Sequence, residues 1–170
     1  MPRYVAFLRG VSPMNAKMPE LKACFESIGF TAVKTVLSSG NVIFTSTQKT
    51  ESALVKAIES GMAKHLSRSF PVIVRTTEHL LAILRTDPYS GFISPNAKRV
   101  VTFLSQPHPE SLLLPIELDG AQILAVKGSE VFTAYVPNER GPIFMTLIEK
   151  TFGKSVTTRT WDTVKKCAAA

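Results

Sequence analysis

An arginine–glycine pair, Arg9–Gly10, ends the first apolar run of the chain, and a triplet, Ser39–Gly40–Asn41, opens a later one. A guanidinium group grips phosphate or carboxylate through paired N–H donors. Glycine lets backbone N–H groups approach an anion closely, while serine and asparagine supply neutral donors. Lys17 stands just before "MPELKACFESIGF" (18–30), whose helix start adds oriented N–H groups and a positive dipole end. Arg159, near the C-terminus, completes a set of seven candidate ligand-binding residues. Their shared chemistry is capture of an anion, either nucleic acid or a phosphorylated metabolite. A purely structural account stays open: Gly10 and Gly40 as turn glycines, Ser39 and Asn41 bonded to local backbone, Arg9 a solvated strand-end charge.

What brings Arg9 to Ser39 is the order of the elements. "RYVAFLRG" (3–10) reads as a buried strand stopped by glycine, and 18–30 as a helix with Pro19 in its first turn and Gly29 at its stop. "TAVKTVL" (31–37) and "NVIFTS" (41–46) read as a hairpin turning at "SSG". Thr50 is placed to cap a long helix with Leu54, Ile58, Met62 and Leu66 on one face, and "FPVIVR" (70–75) is a fourth strand. In a β-α-β-β-α-β unit, strands one and three are antiparallel neighbours, so the end of 3–10 lies beside the start of 41–46.

After a helix at 77–86, "DPYSGFISPN" (87–96) is rich in turn formers and marks a boundary. The order then repeats: a strand at 98–105, a helical stretch within 108–118 interrupted by Pro115, a hairpin at 121–136 turning at "KGSE", a helix at 142–153, a strand at 154–159 and a terminal helix from Trp161. The expected fold is α/β of the α+β kind: two ferredoxin-like halves, 1–86 and 98–170, joined by a linker at 87–97. Several strands, "VAFL" and "VVTFL" among them, are apolar on both sides. The sheet face without helices must therefore meet the other half, a partner subunit or a ligand.

Charge agrees with the anionic reading. Residues 1–85 hold 11 Lys/Arg against 5 acids, giving +6, and residues 86–170 hold 9 against 8, giving +1. His65, His79 and His108 share no ligand spacing and the two cysteines, Cys24 and Cys167, form no CxxC, so neither a metal nor another cofactor is expected. No phosphate-loop, nucleophile-elbow or dinucleotide glycine motif occurs, so no reaction is assigned. RNA-recognition domains share this strand order but stack bases on aromatic residues of strands one and three, which are scarce here. No leader and no apolar run near the ~20 residues of a membrane span is seen, so a cytoplasmic protein without a membrane partner is expected. Two other functions stay open. One is a small enzyme with a site between the halves, built from Arg9, Ser39, Asn41, Arg159 and Asp162. The other is an oligomeric scaffold, a homodimer for instance.

The stretch "TTRTWDTV" (157–164) holds the only tryptophan. Thr160 suits a helix cap, Asp162 the first turn, and Trp161 a hydrophobic anchor for the terminal helix. Arg159 is the residue left over to face a ligand or a buried acid.

The motifs Leu8-Arg9-Gly10, Gly29-Phe30, Ser39-Gly40-Asn41-Val42 with Phe44, and Thr157, Arg159, Trp161 and Thr163 together resemble the bacterial family catalogued as domain of unknown function 1697. The likeness spans nearly the whole chain. It differs at "VSPMNAK" (11–17), usually glycine-rich in that family, and at Thr160 and Asp162, where asparagines are usual. The resemblance implies a two-part ferredoxin-like fold and no established activity.

Overall fold

The computed structural model describes residues 2–89, 96–108, 112–137 and 143–170. The chain forms two compact units, Met1–Arg85 with Lys165–Ala170, and Thr86–Val164. The last residues of the terminal helix, read from sequence with the second half, thus group with the first unit.

The first unit runs β1 (Arg3–Leu8), α1 (Met18–Ile28), β2 (Thr31–Thr35), β3 (Asn41–Thr45), α2 (Glu51–Leu66), β4 (Val72–Thr76) and α3 (Thr77–Thr86). Its strands form one antiparallel sheet in the order β2-β3-β1-β4, the ferredoxin-like arrangement. Strand alternation sends Tyr4, Ala6, Leu8, Val42, Phe44, Val72 and Val74 into one core with Leu21, Cys24 and Phe25 of α1 and Leu54, Ile58 and Met62 of α2. Phe44 is its hub, stacked on Phe30 at 4.3 Å and meeting Phe25 edge-on at 5.6 Å between centroids. Each such side chain contributes about 1.5–3 kcal/mol by leaving water. On the opposite sheet face Val5, Phe7, Ile43 and Ile73 are buried too, as the two-sided apolar runs require.

Local signals explain the ends of α1. Pro19 lies in its first turn, where no intrahelical donor is needed, and Gly29 at φ 107° closes it with its N–H on Glu26 O. Phe30 then folds back, its N–H on Phe25 O at 3.3 Å. Thr50 precedes α2 as expected, yet its hydroxyl makes no capping bond; Leu54 N–H on Thr50 O starts the helix instead.

The second unit holds β5 (Lys98–Leu104), β6 (Ile116–Leu118), β7 (Ala121–Lys127), β8 (Glu130–Tyr135), α4 (Ile143–Phe152), β9 (Val156–Thr160) and the start of α5 (Trp161–Ala169). Its antiparallel sheet has the order β6-β7-β8-β5-β9, so β7-β8-β5-β9 repeats the arrangement of β2-β3-β1-β4. Leu147 and Ile148 of α4 pack on Leu104, Ile123, Val131 and Val156. The helix expected within 108–118 is corrected in its described part: residues 112–115 are irregular and Ile116–Leu118 is a strand paired to β7. Residues 109–111 lie outside the described residues. The physical reason is the turn that follows. Asp119 at φ 45° and Gly120 at φ 89° form a tight hairpin that pulls 116–118 into pairing, and Pro115 lacks the N–H to continue a helix.

Candidate functional site

The register of the first sheet unites five of the seven candidates. Phe7 pairs with Asn41, and Leu8 N–H donates to Gly40 O at 2.8 Å, so Arg9 and Gly10 adjoin the 39–41 turn. Lys17 is exposed at the cap position of α1, whose start shares this end of the sheet. Gly40 has φ 90°, and a side-chain carbon there would sit 2.9 Å from Val11 Cβ. Val11 and Ala16 are themselves buried in the core, which pins the 11–17 loop at both ends.

Much of the polar capacity at this edge is spent locally. Asn41 is fully buried, and its amide donates to Val36 O at 2.8 Å and Ser39 Oγ at 3.0 Å, shaping the turn. Asn15, which the sequence did not single out, donates to Gly10 O at 2.8 Å and accepts from Ser12 N–H at 2.9 Å. The start of α1 is a poor anion cradle. Pro19 removes one N–H and Glu20 places a negative charge in the first turn. Side-chain cations are what remain, and the fold adds to them. Arg9 N–H donates to Pro71 O at 2.9 Å, which brings in the segment after α2. There Arg68 is exposed and lies 5.0 Å over the Phe70 ring, with exposed Lys64 in the last turn of α2. Neither residue stood out in the sequence, because only the topology returns 64–71 to Arg9.

Charge separates more sharply by unit than by half. The first unit, including Lys165 and Lys166, holds 13 Lys/Arg against 5 acids, giving +8; the second holds 7 against 8, giving −1. Ten of those 13 side chains are exposed, Lys17, Lys64 and Arg68 among them. No base-stacking platform accompanies them in the first sheet. Tyr4 and Phe44 stack on each other at 5.7 Å inside the core, and Phe7 is buried as well. The Tyr4 phenol donates to Gln48 O, and burial, with Glu51 next, pushes its pKa up.

The seventh candidate, Arg159, lies on β9 in the second unit, opposite Val101 and half-buried, with Nη1 donating to Thr158 O at 2.9 Å. Beside it, Trp161 is 3% exposed and meets Tyr89 and Phe132 edge-on at 4.9 and 6.3 Å. Thr160 Oγ1 accepts the Thr163 N–H and caps α5. Tyr89, read as part of a linker, is buried with its hydroxyl donating to Val100 O, and burial raises its pKa. Cys24 is buried and its thiol pKa is raised by that burial, which leaves it inert at neutral pH. Among the described residues no cluster of His, Cys, Asp or Glu could hold a metal, and no helix is long and apolar enough to cross a membrane.

Residues 1–132 match the family model described as "Protein of unknown function (DUF1697)", so the chain belongs to that family. Among solved structures, a conserved bacterial protein from Streptococcus pneumoniae is similar, with TM-score 0.75 and 22% identity over 99% of this chain and 97% of that one. That likeness is one of fold. No curated protein matches.

Proposed function

We propose that this member of the DUF1697 family binds an anionic ligand, a nucleic acid or a phosphorylated metabolite, at the end of the first sheet formed by Arg9, Gly10, Lys17 and Ser39–Asn41. The observation that carries this reading is the charge separation, +8 on the first unit against −1 on the second. A field of one sign attracts polyanions and speeds their encounter. Lys64 and Arg68 extend the cationic edge, and Glu20 in the first turn of α1 borders it. With Tyr4, Phe7 and Phe44 buried, contact runs through phosphate groups rather than stacked bases.

The test is anisotropy of a labelled single-stranded oligonucleotide across a salt series, alongside calorimetry with mononucleotides. Four phosphate contacts at ~0.7 each predict a slope of log affinity against log salt of roughly −3. Lys17→Ala with Arg68→Ala, two contacts at ~0.7 each, should flatten that slope by about 1.4. Nucleotide binding without oligonucleotide binding assigns the metabolite form. Failure of both ligands at low salt removes the proposal.

A further inference from the structure

A second group of cations sits at the other end of the same sheet. Pro2, Arg3, Thr76, Thr77, Glu78, Leu81 and Arg85 line an open cleft of about 400 Å³, all within the first unit. We propose that this cleft binds a small, singly charged carboxylate carrying an apolar body.

The floor is preorganised. Arg3 Nε donates to Ala170 O at 3.2 Å, while Nη1 donates to Ala32 O at 3.0 Å and Thr45 Oγ1 at 3.1 Å. A long side chain held by three acceptors has already lost the freedom that a ligand would otherwise have to remove. The wall is one stripe of α3: Thr77, Leu81 and Arg85 recur every four residues and so stand on one side of the helix. Leu80 and Ile83 turn to the core, whereas Leu81 stays 42% exposed, an apolar surface at the mouth of a charged cleft. Thr77 Oγ1 is buried in that wall and has no hydrogen-bond partner among the described residues.

Charge selects the ligand. The side chains that line the cleft, two guanidinium groups and one carboxylate, sum to +1, and among the described residues neither Glu78 nor Arg85 has an ion-pair partner. A carboxylate matches the planar fork of Arg85, while Arg3, with Nε and Nη1 engaged, has Nη2 to offer. A dianion is repelled by Glu78, and the alkyl portion covers Leu81 and Pro2. The volume suits a metabolite-sized molecule, at the low end of the ~300–1,000 Å³ usual for ligand sites.

The test titrates the protein with hexanoate, hexylamine and hexyl phosphate, followed by proton–nitrogen correlation spectra and calorimetry. Hexanoate should move the amides of Thr77–Arg85 and Arg3 and bind more tightly than the other two. Arg85→Gln, at an exposed position, should weaken hexanoate by about ten- to a hundred-fold. Lys17→Ala should leave it unchanged. Shifts that bypass α3, equal binding by Arg85→Gln, or preference for hexyl phosphate would each overturn the assignment.

Discussion

The two ends of the first sheet use the same side-chain chemistry in opposite ways. At the Arg9 end, polar groups are turned inward to build the turns: Asn41 onto Val36 and Ser39, Asn15 onto Gly10 and Ser12. At the Arg3 end, one arginine is locked against Ala32, Thr45 and Ala170 while another, Arg85, stands exposed across an open cleft. The first end has tight, closed backbone beside exposed cations, Lys17, Lys64 and Arg68. The second has a fixed cation, an apolar lip and a cavity. A diffuse field suits a flexible polyanion; a fixed cleft suits one small molecule.

Glycine substitution tests how tightly the Arg9 end is built. Gly40→Ala puts a side chain at φ 90° and within 2.9–3.1 Å of Val11 and Leu8 carbons. Strain and overpacking together should remove about 3 kcal/mol, read from urea unfolding. Gly10→Ala meets strain alone, since nothing lies within 4 Å at φ 85°, and should cost about 1 kcal/mol. Equal losses at the two positions would mean that Val11 yields and the turn is loose.

That contrast also shows what a sequence can carry. The ferredoxin-like order was legible because its signals are local: two-sided apolar strands, Pro19 and Gly29 around α1, and the "KGSE" turn between β7 and β8. The nearness of Arg9 to Asn41 followed from topology alone. Trp161 was legible as an anchor because Thr160 and Asp162 already had roles at the helix start. The stretch before Pro115 reads as helical because of the three leucines at 112–114, and the strand after it is not evident, because the Asp119–Gly120 turn that decides the matter stands later in the chain. The Arg3 cleft was invisible for another reason. It joins residues 2–3 and 76–85, with Ala170 holding Arg3 from outside, and no short pattern encodes a convergence over that separation.

At the Arg3 end the expected loss is smaller. Arg3→Ala removes three part-buried or exposed hydrogen bonds whose acceptors water can reach, for about 1–2 kcal/mol. Because one acceptor is Ala170 O, hydrogen exchange should quicken at the amides of Cys167–Ala170 more than in α1 or α2. Uniform quickening across the unit would make Arg3 a general support rather than the anchor of the tail.

The smallest effects on stability separate the two ends most cleanly. Lys17 and Arg85 are both exposed, and alanine at either should change unfolding free energy by less than about 0.5 kcal/mol. Their effects on binding should not overlap. Lys17→Ala takes one phosphate contact from the Arg9 end and should weaken an oligonucleotide increasingly as salt falls, with hexanoate affinity untouched. Arg85→Ala should abolish most hexanoate binding while the salt slope for the oligonucleotide stays that of the wild type. If each variant impairs both ligands, the two ends form one electropositive field, and the division between a diffuse surface and a built cleft is wrong. If the effects stay separate, the same +8 unit carries two recognitions that differ in rigidity rather than in charge.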